Sequence, residues 1–199
     1  MSIIEPESIT PEPVQIICIL DRSGSMSSLV SDVIGSYNTF IEKQKSEPGE
    51  AEVTLVLFDT QYEEVYSKVN VKEVPLLDNK TYFARGGTAL LDAVGRAISS
   101  CNAEDAIVLI QTDGEENSSR EFTKEKLKEL ISKKEKAGWD FIFLGANIDA
   151  FSTGASFGLS PSKSVQYTAN SAGIDQAFMA MSTGTANYRA SKLGKFNIS

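Results

Sequence analysis

Short apolar runs that end in an acidic or turn residue alternate, along nearly the whole chain, with segments whose apolar residues recur every three or four positions. The first run, V-Q-I-I-C-I-L (14–20), stops at Asp21 and a Ser/Gly cluster. From Ser27 onward Leu29, Val30, Val33, Ile34, Tyr37, Phe40 and Ile41 form one face of a helix predicted to reach about residue 45, before Glu47-Pro48-Gly49 stops it. A-E-V-T-L-V-L-F-D (51–59) alternates as a strand does and lies two residues from Y-E-E-V-Y-S-K-V (62–69), which predicts a hairpin. After a loop over 72–87, Leu90, Leu91, Val94, Ala97 and Ile98 mark a second helix with Thr88 at its start. The rest reads as a strand at 106–112, a charged helix at 121–136, a strand at 139–144, a helix at 148–157, a weak strand at 164–168 and a helix at 172–190.

That order predicts an α/β fold: a doubly wound, Rossmann-like sheet of six mostly parallel strands, one antiparallel edge strand, and helices on both faces. The domain is expected over 14–190, with a Pro- and Glu-rich lead-in at 1–13 and a tail at 191–199. In such sheets ligands bind at the carboxyl ends of the strands, where the winding direction reverses. If the strand at 14–20 adjoins the one at 106–112, the reversal lies between Asp21 and Asp113.

Composition narrows the chemistry available there. The chain's 199 residues contain no histidine, which removes Ser-His-Asp and Cys-His catalysis and the usual zinc sites. Lys and Arg number 19 against 27 Asp and Glu, a net charge of −8 that disfavours nucleic acid and anionic membrane surfaces as partners. Between 120 and 136 seven basic residues meet four acidic ones, which reads as a solvated helix face in preference to a docking patch. Cys18 and Cys101 fit no metal or redox spacing, and Cys18 sits inside an apolar run. The N-terminal residues carry glutamates where a signal peptide would be basic, so the expected compartment is the cytoplasm.

Three loops at the predicted edge carry oxygen-bearing side chains: Asp21, Ser23 and Ser25 after the first strand, Thr88 after Gly86-Gly87, and Asp113 after the fourth. Such oxygens suit a hard cation, Mg²⁺ above all, or Mn²⁺. Each group also has a plainer use, since serine and threonine cap helices and Asp-Gly makes turns. Taken one at a time, the two readings stay open.

Taken together, Asp21-x-Ser23-x-Ser25, Gly-Gly-Thr at Thr88 and Thr112-Asp113-Gly114 resemble the metal-ion-dependent adhesion site (MIDAS) of the von Willebrand factor A (VWA) domain family. The stretches L-D-R-S-G-S-M, R-G-G-T-A-L-L-D-A, T-D-G-E-E-N and F-L-G-A-N are most similar to its small stand-alone bacterial and phage members, and the likeness spans about 14–190. The resemblance implies that Ser23 and Ser25 bind the metal through their hydroxyls. It implies that Thr88 binds directly in a ligand-engaged state and otherwise through water, and that Asp21 and Asp113 supply anionic oxygens. It further implies a binding module and not an enzyme: an open metal position accepts an Asp or Glu carboxylate from a partner protein. The loops at 22–26, 85–88 and 114–117 are expected to form the rim, with Arg22, Gly24, Met26, Gly87, Gly114, Glu115 and Glu116 facing the partner. Two alternatives remain. One is a scaffold of the same fold whose site holds no metal. The other is a Mg²⁺-dependent phosphohydrolase, disfavoured because Ser23 stands where such enzymes place a second carboxylate.

Overall fold

A computed structural model describes the backbone of residues 12–196 and the side chains of 12–193. The predicted lead-in lies mostly outside these residues. Six strands, β1 (Val14–Asp21), β2 (Ala51–Phe58), β3 (Tyr62–Asn70), β4 (Ala106–Thr112), β5 (Asp140–Ala146) and β6 (Ser164–Tyr167), form one sheet in the order β3-β2-β1-β4-β5-β6. All neighbours are parallel except the β2–β3 hairpin. β1 adjoins β4, with Leu20 opposite Gln111, so the sheet reverses its winding between the ends of those two strands.

Every residue of β1 and β4 is buried, because these central strands are covered on both faces. Successive side chains point to opposite faces. Ile16, Cys18 and Leu20 therefore join one core with Tyr37, Phe40, Ile174 and Phe178, from helices α1 (Val30–Ser46) and α5 (Ser171–Phe196). Ile17 and Ile19 join the other with residues of α2 (Leu90–Ser100) and α3 (Lys124–Lys136), including Leu90, Val94, Leu127 and Ile131. Burial of each such side chain contributes roughly 1.5–3 kcal/mol, which outweighs local propensity and fixes the strand register. α4 (Ala150–Ser156) closes the second face, with Phe157 edge-on to Phe143. Among the described residues no helix is long and apolar enough to cross a membrane. Cys18 is buried and unpaired.

Two departures from the sequence expectation matter. The helix predicted from Ser27 begins earlier, as a 3₁₀ segment (Gly24–Leu29), and becomes α-helical only at Val30. Met26 and Leu29, three residues apart, are its buried positions, a spacing that matches three residues per turn. The final helix runs past the predicted boundary at 190 and through residue 196, so part of the expected tail is helical. Beyond that boundary Lys192 is buried and pairs with Asp105, and just before it Arg189 anchors the helix. Its guanidinium is buried against the end of α1 and donates to the carbonyls of Gln44 at 2.6 Å and Gly49 at 2.8 Å.

Candidate metal centre

Asp21 ends β1 and Asp113 directly follows β4, so the two carboxylates stand side by side at the reversal point. Asp21 is fully buried and held from two sides. Its Oδ1 accepts the Ser23 N–H at 2.6 Å, and its Oδ2 accepts the Thr112 hydroxyl. Its own carbonyl accepts the buried Tyr82 hydroxyl at 2.5 Å. Asp113, 3% exposed, accepts the Ser25 hydroxyl at 2.6 Å, and Ser25 Oγ lies 3.1 Å from Ser23 Oγ.

Thr88 reaches the same point from a third loop. A Cβ placed on Gly114 would lie 3.2 Å from Thr88 Oγ1 and 3.5 Å from Ser25 Oγ, so both hydroxyls converge there. Gly86 and Gly87 make this approach possible. Gly86 has φ +68°, and a Cβ on Gly87 would meet Ser118 Oγ at 2.5 Å. The loop after Asp113 is stitched to this one. Asn117 Oδ1 accepts the Thr88 N–H at 2.9 Å, and the Thr88 carbonyl accepts the N–H groups of Asn117 at 3.0 Å and Ser118 at 3.2 Å.

The helix-capping alternative is not what the hydroxyls do. Ser23 precedes the 3₁₀ segment without a side-chain cap, and the residue at the α2 cap position is Ala89, not Thr88. Glu116 takes that duty from outside, accepting the Leu91 N–H at 2.9 Å. The Ser23 and Ser25 hydroxyls instead lie within hydrogen-bond range of each other and Ser25 of Asp113, with Thr88 Oγ1 near Gly114.

The donor set fits a small hard cation. Octahedral Mg²⁺ at 2.0–2.1 Å requires adjacent ligand oxygens about 2.9 Å apart. The Ser23–Ser25 and Ser25–Asp113 oxygen separations of 3.1 and 2.6 Å bracket that value. Among the described residues neither Asp21 nor Asp113 has a basic side chain in salt-bridge contact, although eight other such pairs occur. Burial raises the Asp21 carboxyl to about 6, against the opposing hydrogen bonds from Thr112 and Ser23. Burial likewise raises Asp113, against the bond from Ser25. Two buried acids facing three hydroxyls and no cation lack positive charge.

All five expected ligand residues are brought together; the rim is not as expected. Arg22 and Met26 are fully buried and cannot face a partner. Arg22 turns away to Asp59, and Met26 packs into the α1 core because it occupies the inner face of the 3₁₀ segment. Glu116 is occupied with α2 and with the N–H groups of Ser118 and Ser119. Gly24 and Glu115 are exposed, and Gly87 and Gly114 are half-buried. Asn147, at the end of β5, has φ +52° and serves the turn.

One residue escaped the sequence reading. Asp59, at the end of β2, is 1% exposed and accepts Arg22 Nε at 2.9 Å and Arg85 Nε at 2.8 Å. Its carbonyl accepts the Ala89 N–H. It therefore ties both ligand-bearing loops to the hairpin. The signal was present, since Asp59 closes a parallel strand at the same edge as Asp21 and Asp113.

Residues 2–148, most of the chain, match the family described as VWA domain containing CoxE-like protein. The chain belongs to that family. No curated protein matches it. Among solved structures, the VWA fold aligns with proximal thread matrix protein 1 of the mussel byssus in a form with a zinc-occupied MIDAS motif. That match has 14% identity and a TM-score of 0.64, and covers 87% of this chain and 46% of the mussel one. The chain thus spans about half the length of the mussel protein. The vWF domain of the pilus tip protein Mfa5 from Porphyromonas gingivalis aligns at 11% identity and TM-score 0.60, over 86% of this chain and 96% of that one. Manganese-loaded TRAP of Plasmodium vivax aligns at 18% and 0.57, over 83% and 72%. At these identities the likeness is one of fold.

Proposed function

We propose that this VWA domain is a divalent-cation-dependent protein-binding module that holds Mg²⁺ or Mn²⁺ between Asp21, Ser23, Ser25, Thr88 and Asp113 and captures an Asp or Glu of a partner protein. The observation that carries this is the pair of buried carboxylates facing three uncapped hydroxyls with no basic group in contact. Solved VWA structures with zinc or manganese support the metal part of the reading.

The chain's own residues divide the work. Thr112 and the Ser23 N–H hold Asp21 in place, Ser25 bridges to Asp113, and the Asn117 bonds fix the height of Thr88. A bound dication supplies the positive charge that the two acids lack and an exchangeable position for an incoming carboxylate. Ser25 and Gly24 are exposed, so solvent and partner approach on their side. In this reading the chain is not an enzyme: neither a histidine base nor an activated nucleophile stands beside the motif.

Calorimetric titration with Mg²⁺ and Mn²⁺ tests the reading. One site is expected. At a hundredfold excess over Kd the metal should stabilise the fold by about 2.7 kcal/mol, raising Tm by roughly 5–10 °C. Chelation should reverse the shift, and Asp21→Ala and Asp113→Ala should abolish it. A shift that persists in both variants places the metal elsewhere. Phosphomonoester turnover that disappears in Asp21→Asn would favour the hydrolase instead.

A further inference from the structure

The loop that carries Thr88 also carries a half-exposed arginine, Arg85, and a half-exposed phenylalanine, Phe83. The strand-like stretch at Arg85 lies flat against the metal loop. Its N–H donates to the Arg22 carbonyl at 2.8 Å, and Gly24 N–H donates to the Gly86 carbonyl at 3.0 Å. Arg85 is therefore the immediate lateral neighbour of Ser23.

The Arg85 side chain is built into a fixed pose. Its Nε is held by the buried carboxylate of Asp59 at 2.8 Å, and Nη2 donates to Gln61 at 3.1 Å. The guanidinium carbon lies 5.3 Å from the centre of the Phe83 ring, and the buried Arg22 guanidinium lies 5.4 Å from the same ring. Three constraints on a side chain that is still 41% exposed leave its Nη1 edge free of protein acceptors among the described residues. Phe83 is itself 41% exposed, one of four large apolar side chains so placed among the described residues.

Within 22–26, 85–88 and 114–117 the basic residues are Arg22 and Arg85, and Arg22 is fully buried. Arg85 is thus the single exposed cation of the three loops, and Glu115 is an exposed anion of the loop after Asp113. A lone carboxylate on the metal gives strong contact and little discrimination. A second, pre-oriented cation beside it supplies selectivity, because an oriented guanidinium binds a carboxylate with little further loss of side-chain entropy.

We propose that Phe83 and Arg85 form a second recognition subsite beside the metal, which selects partners whose metal-seeking Asp or Glu is accompanied by a second acidic side chain with an apolar neighbour. This rests on the metal-mediated contact proposed above. The metal takes the first carboxylate, Arg85 takes the second, and Phe83 covers the apolar residue between or beside them.

The test uses the full chain and defined synthetic peptides in saturating Mg²⁺, read by NMR titration. The peptides are a neutral parent, one carrying a single Asp, and a set carrying a second Glu one to four positions away with a Leu beside it. The best doubly acidic peptide is expected to bind at least tenfold more tightly than the singly acidic one, with resonance shifts at Phe83 and Arg85. Arg85→Gln should bring that advantage down to about twofold, and Phe83→Ser should lose the part due to Leu. Equal binding of single and double peptides, both abolished by chelator, would overturn this subsite and leave the metal-mediated contact standing. Binding of neither peptide, or binding insensitive to chelator, would overturn both. A Mg²⁺ titration on Arg85→Gln separates the remaining case. Loss of metal affinity by the same factor as loss of peptide would mean that Arg85 acts through the metal loop, which overturns the subsite. Competition by inorganic phosphate in place of carboxylate peptides would overturn it too.

Discussion

The hairpin flank of the site and its centre both bury acids, and they treat them in opposite ways. On the flank, Asp59 has two guanidiniums and the Gln61 N–H. Against the upward pull of burial, the bonds from Arg85, Gln61 and Arg22 hold its carboxyl below the ordinary range. On the far side Asp92 is treated alike: against burial, the N–H groups of Arg120, Phe122 and Glu121 hold it low. At the centre, burial wins and both Asp21 and Asp113 are raised. On the flanks each carboxylate already meets guanidinium or backbone N–H donors of the chain itself. At the centre no basic side chain contacts either carboxylate among the described residues, which is where the proposed cation would act. These four buried aspartates thus differ in what faces each carboxylate.

The largest effect should come from breaking the flank. Asp59→Asn leaves Arg22, fully buried, with only the half-exposed Glu63 at 2.6 Å. Orphaning one member of a buried pair costs about 3–5 kcal/mol, so urea unfolding should show a loss of that order. The same change at the centre should have the opposite sign. Asp21→Asn removes a buried charge that lacks a cation, and the metal-free protein should gain about 1–3 kcal/mol at pH 7 while losing its response to Mg²⁺. A destabilised metal-free Asp21→Asn would erase the distinction between the two regions.

Acidity sharpens it further. The Asp21 carboxyl sits at about 6 in the fold against an ordinary 3.8. Its contribution to metal-free stability is therefore full below pH 4 and lost as pH rises through 6. Asp59, shifted the other way, contributes above the ordinary carboxylate range and loses that contribution as pH falls. In the proposed site a metal would displace the Asp21 proton, so Mg²⁺ affinity measured by calorimetry should rise about tenfold from pH 5 to pH 7. The smallest effect concerns Thr88. Asn117→Ala removes the acceptor for its N–H, and a lost bond of about 1 kcal/mol should weaken Mg²⁺ binding roughly fivefold without changing the fold seen by circular dichroism.

The two periodicities made the architecture legible. Alternating strands and three-four helices placed all six strands and the five main helices, and the strand-end rule placed Asp21 and Asp113 at one edge before any contact was known. Asp21, Ser23 and Ser25 stand two apart after a buried strand, but it is their resemblance, together with Thr88 and Asp113, to a family motif that singles them out from capping and turn residues. These are local properties of the chain, set by backbone geometry and side-chain chemistry within a few residues. Other features depended on what packs across the sequence. Arg22 and Met26 lie inside the motif itself and still point inward, because the 3₁₀ segment turns Met26 into the core and the hairpin offers Arg22 a buried carboxylate 37 residues away. Glu116, read as rim, caps α2 because its loop folds over that helix. Whether a given aspartate meets a guanidinium, an N–H or nothing charged is decided by long-range neighbours, and only the folded sheet brings those neighbours together.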